Sequence, residues 1–247
     1  MARALGTRAR FAVAYLLLGA AVGGGLGAFA VLVKRPGPQP PPAWSSWRPS
    51  ASGRSQLLEI ADHVGSGYLL PSGNELTAIK VGGVPGAPTL KAIGIPKTAK
   101  PKTLADFKLY KQEKNAIYIL CGLGSNCHLP DGIPSQSRGP VLRREALELA
   151  LYTLEYAHPI DNVLVFFPPA PGENKLTSTL FFHRSDLESS LHHPLRRTLP
   201  QAQPLLPGKI APGEKRTVED LTKTALYRFI SIANGRGYGH VVVVQPT

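Results

Sequence analysis

The sequence predicts an α/β (α+β) protein: a single ectodomain on a mixed sheet, with one βαβ unit and a C-terminal hairpin, preceded by one transmembrane helix. Three observations carry this. A run of 23 uncharged residues, Phe11 to Val33, lies near the start. Two short, near-continuous apolar segments, "AIYILC" (Ala116 to Cys121) and "NVLVFF" (Asn162 to Phe167), flank the helical pattern "VLRREALELALYTLEYA" (Val141 to Ala157). The tail "LYRFISIANGRGYGHVVVVQ" is strand-like on both sides of Asn234-Gly235, a dipeptide suited to a tight hairpin turn.

At 1.5 Å per residue a helix over Phe11 to Val33 covers about 34 Å, against a hydrocarbon core of about 30 Å. Arg3, Arg8, Arg10 and the amino terminus precede it, while Lys34 and Arg35 follow. The positive-inside rule then puts residues 1–10 in the cytoplasm and the domain on the far side. The competing reading is a secretory signal cut after Ala28-Phe29-Ala30. The apolar run exceeds an ordinary signal core and continues through Val33, which favours a retained anchor. Gly19, Gly23 and Gly27 share one helical face at the spacing that lets two membrane helices dimerise. Residues 34–54 hold six prolines and read as an extended spacer, in which Trp44 and Trp47 suit either the membrane interface or the domain surface. Residues 55–247 form the extracytoplasmic domain, enough chain for one core.

Within the domain, "SQLLEIADH" (Ser55 to His63) has helical spacing and Gly65 to end it. "YLLPSGNELTAIKV" reads as a hairpin turning at Pro71 to Asn74, and Thr89 to Ile95 as a strand. Lys97 to Lys114 is lysine-dense, with a turn or two of helix in "TLADFKLYKQ". In the central helix Leu147, Ala150, Leu151 and Leu154 occupy one face and Arg144, Glu148, Tyr152 and Glu155 another, with Pro159 closing it. The apolar strands on either side should be parallel, joined by a right-handed crossover and covered on both faces. "STLFF" (Ser178 to Phe182) follows as an antiparallel neighbour, and Ser185 with Glu188 makes a capping box for a short helix.

Cys121 and Cys127, in "CGLGSNC", suit a disulfide beyond the membrane; the alternatives are two separate thiols, or a metal set with His128 that lacks a fourth ligand. Neither a metal nor another cofactor is implied. The connection from Gly122 to Pro140 is long for a structureless loop and leaves the carboxyl end of a parallel strand, where α/β proteins tend to bind ligands. His128, Asp131, Ser135 and Arg138 are its polar groups. His128 could act as acid or base with Asp131 orienting it, while Ser135 and Arg138 could hold a ligand. "CGLGS" is no phosphate loop, because the next helix starts too far on, and "GRGYG" lies in a hairpin. The Asp62-His63, His183/Ser185/Asp186 and His192-His193 clusters are sequence neighbours, a poor arrangement for a triad.

The net charge is +12, of which +7 lies beyond residue 35. Lys97, Lys100, Lys102, Lys108, Lys111 and Lys114 form its densest cluster. No nucleic-acid-binding motif accompanies them, so the expected partner is an anionic lipid surface or acidic envelope polymer. The sequence therefore reads as a membrane-anchored binding or structural protein of the cell envelope. An envelope hydrolase, with its site at the loops after the two parallel strands, is the alternative.

Overall fold

The computed structural model describes residues 7–34, 43–83, 90–98, 103–129, 135–170, 173, 175–233 and 240–246. The chain divides into two compact units, Met1–Pro42 and Ala43–Thr247. The first contains one helix, α1 (Thr7–Lys34), of 28 residues. No proline interrupts it. Its described side chains, from Phe11 to Gly27 together with Phe29, are all exposed. Over the described residues no helix is long and apolar enough to cross a membrane.

The second unit opens with α2 (Gly53–Gly65), β1 (Thr77–Val81), β2 (Leu90–Pro96), β3 (Phe107–Lys111) and β4 (Asn115–Gly122). Then come α3 (Ser135–Tyr156), β5 (Asn162–Phe166), β6 (Ser178–His183), α4 (Glu188–Leu191) and α5 (Leu195–Thr198). The chain closes with α6 (Pro212–Thr222), β7 (Leu226–Ala233) and β8 (His240–Pro246). The eight described strands form one mixed sheet in the order β1-β4-β5-β6-β7-β8-β2-β3. The βαβ unit is present: β4 and β5 pair in parallel, Asn115 opposite Asn162, with α3 between them. β6 is antiparallel to β5, and β7 with β8 makes the terminal hairpin.

Four expectations are corrected. The turn at Pro71 to Asn74 closes only a single bridge, Leu69 opposite Glu75, because β1 pairs instead with β4. The lysine-rich stretch holds strand β3, since Phe107 and Tyr110 are half-buried against neighbours and the helical turns on either side are three-residue 3-10 turns. The central helix begins at Ser135 rather than Val141; Pro140 sits in its second turn, where it removes one ladder bond without ending the helix. The capping box lies two residues earlier than Ser185/Glu188. Asp186 Oδ2 accepts from the His183 amide at 3.0 Å, while His183 Nδ1 accepts from the Ser185 amide at 3.2 Å.

Both faces of the sheet are covered, by different means. On one, Ala116, Tyr118 and Leu120 of β4, Val163 and Val165 of β5, and Leu180 and Phe182 of β6 join Leu147, Leu151 and Leu154 of α3 in the larger core. On the other, Ile117, Leu164, Phe166 and Phe181 form a smaller core with Ile93 of β2, backed by Tyr110 of β3. In a flat sheet β3 and β6 would lie about 19 Å apart, four strand spacings of about 4.8 Å. The Tyr110 and Phe181 ring centroids are 5.1 Å apart. The sheet therefore curls until its own far strands cover the face that no helix covers.

The expected polar face of α3 is also buried. Arg144 is 1%, Glu148 5% and Tyr152 3% exposed, because α2, α6 and the segment carrying Gln201 and Gln203 form a further layer over the helix. Residues Ala43 to Ala51, placed in the spacer by sequence, form a strap bound to this layer. Trp47 stacks on His63 with centroids 3.8 Å apart, Trp44 meets Tyr152 and Tyr156 edge-on, and Ser45 Oγ lies 2.7 Å from the Tyr152 hydroxyl. Glu59 accepts from the Ser50 and Ala51 amides. Trp44 and Trp47 are the only tryptophans, so tryptophan fluorescence, excited selectively over that of the tyrosines, reports on the strap alone. Trp47→Ala is expected to cost about 2 kcal/mol, less than a fully buried aromatic because Trp47 is half-buried. The measurement is a urea midpoint by circular dichroism, and an unshifted midpoint would show that the strap contributes nothing to stability.

Candidate functional site

The carboxyl end of β4 leads into a tightly folded loop. Cys121 and Cys127 are bonded, with an S–S distance of 1.99 Å. Gly122 lies against the backbone that returns past it: a Cβ there would stand 2.1 Å from the His128 carbonyl oxygen, so no larger residue fits without movement. Asn126 and Cys127 take left-handed backbone angles, φ 54° and 63°, which let the ring close. The Gly124 amide donates to the His128 carbonyl at 2.9 Å, and the His128 amide to Ser125 at 3.1 Å. A loop this short stabilises by about 2 kcal/mol in the chain-entropy view.

Of the residues expected at this end, His128 is half-buried and its ring makes no hydrogen bond among the described residues. Asp131 and the side chain of Ser135 lie outside the described residues, and Arg138 is half-buried in the first turn of α3. His183 Nδ1 and Ser185 Oγ do meet, at 2.8 Å. The same nitrogen accepts the Ser185 amide, so the contact belongs to the cap. Among the described residues no three His, Cys, Asp or Glu side chains gather as a metal set.

Lys97, Lys108, Lys111 and Lys114 are exposed, while Lys100 and Lys102 lie outside the described residues. Lys97 Nζ donates to the Ala105 carbonyl at 2.9 Å, and Lys114 Nζ is held by Asp161 at 2.6 Å. Lys108 lies over the Tyr110 ring, 4.9 Å from its centroid. No side-chain partner of Lys111 appears among the described residues.

Charged residues of α3 and α6 make an arrangement that periodicity does not reveal. Arg144 Nε donates to Glu214 Oε1 at 2.5 Å, Nη1 to Glu148 Oε2 at 2.8 Å and to the Tyr68 hydroxyl, and Nη2 to the Gln201 carbonyl at 2.9 Å. Glu148 Oε2 also accepts from Tyr68 and from Gln203 Nε2, and Glu214 Oε2 from the Gln201 amide. Both carboxylates and the guanidinium are thus hydrogen-bonded where water is excluded, which is the condition for tolerating buried charge. Next to Arg144 in sequence, Glu145 is fully buried; Thr77 Oγ1 donates to its Oε1 at 2.8 Å, and its Oε2 has no hydrogen-bond partner among the described residues.

On the outer side of this clamp an open groove of about 660 Å³ runs between α3 and α6, lined by Pro140 and Arg143 on one wall and Lys215, Glu219, Asp220 and Lys223 on the other. The chain matches no protein-family model, no curated protein and no solved structure.

Proposed function

We propose that the chain is a single-pass membrane protein with a cytoplasmic N-terminus, whose folded unit stands on the far side and contacts anionic envelope material, either lipid headgroups or an acidic polymer. The observation that carries the reading is unpaired positive charge. Lys108 and Lys111 project from edge strand β3 with no carboxylate in ion-pair range among the described residues, within a chain of net charge +7 beyond residue 35. The anchor is supported by the charge-free run Phe11 to Val33 and by the exposure of Tyr15, Leu16, Leu17 and Leu18 on α1. The Cys121–Cys127 bond agrees with an oxidising compartment. Pairing of two anchors through Gly19, Gly23 and Gly27 belongs to the same proposal; a Cβ at any of them would meet nothing within 4 Å. The hydrolase alternative turns on His128 with Asp131, and Asp131 lies outside the described residues.

Lysines on an edge strand also keep foreign strands from pairing with it, so the test must separate charge from edge protection. The full chain in discs of zwitterionic lipid is expected to capture vesicles rich in phosphatidylglycerol, or soluble polyglutamate, at about 50 mM salt and to release them at about 500 mM. Lys108→Gln with Lys111→Gln should weaken capture several-fold while the discs remain monodisperse. Capture that ignores both salt and the double substitution would remove the reading.

A further inference from the structure

We propose that the groove between α3 and α6 is a binding site for a small oxyanionic group, a carboxylate or a phosphoryl, received by Arg143. The proposal does not rest on the lysines of β3.

The walls of the groove are held in register from behind. Arg144 and Glu214 join α3 to α6 through a buried ion pair, and the residues next to them in sequence, Arg143 and Lys215, both line the groove. Successive helical residues point about 100° apart, so one member of each pair can be locked inside while its neighbour stands at the rim. Glu214 is further fixed by the Gln201 amide, and Arg144 by Glu148 and Tyr68. A receiving side chain carried on helices clamped in this way needs little ordering when a ligand arrives.

Charge accounting singles out Arg143. On the α6 wall, Lys215 stands 3.8 Å from Glu219, and Lys223 stands 2.9 Å from Asp220. Each lysine there has its own carboxylate. Arg143, half-buried on the facing wall, has no hydrogen bond or ion pair among the described residues. A guanidinium offers five donors and no acceptor, in a planar fork that matches a carboxylate or phosphate edge. The three cations and two carboxylates of the lining leave one positive charge uncompensated, and it is carried by Arg143. Its volume lies within the range of small-molecule sites, and its open side leaves room for whatever the oxyanion is attached to.

The test uses the full-length protein in detergent micelles, titrated separately with inorganic phosphate and with acetate while the backbone amide of Gly139, beside the groove, is followed by NMR. A saturable shift with at least one of the two is expected, and whichever saturates at lower concentration identifies the source of the oxyanion. Arg143→Gln should weaken binding at least tenfold. Arg143→Lys, which keeps the charge but loses the fork, should fall between the two, and Lys111→Gln should leave binding unchanged. The site is refuted if neither anion saturates the shift, or if Arg143→Gln binds as the parent does. Loss of binding on Lys111→Gln would transfer the effect to the β3 surface and equally refute it.

Discussion

At pH 8 the Glu145→Gln variant is expected to be more stable than the parent protein by about 4 kcal/mol, whereas at pH 5 the gap should shrink to less than about 1 kcal/mol. Glu145 has no exposed surface, and one of its carboxyl oxygens has no hydrogen-bond partner among the described residues. Burial pushes the group from an ordinary 4.5 up to about 8; the Thr77 hydroxyl pulls it down somewhat, while Glu148 and Glu75 add to the rise. The folded protein thus keeps a proton that the unfolded chain releases between those values. Stability from this group is complete below pH 4.5 and is lost as the pH climbs through about 8. At roughly 1.4 kcal/mol per unit the loss is on the order of 4 kcal/mol. Glutamine keeps the acceptor for Thr77 and has no charge to bury, so the part of the fall that Glu145 causes should be absent from the variant. Glu148 is pushed upward by burial too, but Arg144, Tyr68 and Gln203 all favour its charged form, which leaves Glu145 as the main source of the slope. Urea titrations at half-unit steps from pH 5 to 8.5 would measure this. A parent curve that stays flat would mean that water reaches Glu145.

The α3 helix shows what sequence periodicity can and cannot disclose. The alternation of apolar runs with a 3.6-residue pattern was enough to place β4, α3 and β5, and their parallel pairing follows from the length of the crossover. Periodicity sorts residues into faces but does not say what covers each face. Arg144 and Glu148, four apart, look like a surface ion pair. They are buried because Glu214, 70 residues downstream, arrives on α6. The curl of the sheet is hidden for the same reason, since it depends on Tyr110 reaching Phe181 across strands that are distant in the sheet order. Gly139-Pro140 misled because a proline early in a helix resembles a break. The strap falls within the stretch read as a spacer, and of the two surfaces left open for its tryptophans they take the domain's. The groove was not legible in the same way: the ligand groups expected after β4 do not include Arg143, and Arg138, which was expected, is not part of its lining. The second wall is supplied by α6, and no spacing within the loop could indicate it.

Removing the guanidinium at the centre of this layer is expected to be the most damaging single change in the fold. Arg144→Met keeps most of the volume and packing against Tyr68 but strips Glu148 and Glu214 of their shared cation, leaving two carboxyls in a site closed to water. The cost of breaking a buried pair from one side is about 3–5 kcal/mol, because the stranded partner keeps its desolvation penalty without the compensating attraction. Those carboxyls can escape only by taking up protons, so the variant should regain stability as the pH is lowered towards 5, and urea midpoints across that range would record it. The triple variant Arg144→Met, Glu148→Met, Glu214→Leu removes the stranded charges as well and should recover much of the loss, since apolar residues of similar volume replace buried ion pairs at little net cost. The comparison separates two contributions. If the single variant is far worse than the triple, the charges are mutually dependent and the clamp holds α3 to α6 by satisfying itself. A single variant that loses less than about 1 kcal/mol would mean that apolar packing alone fixes the two helices, and with them the walls of the groove.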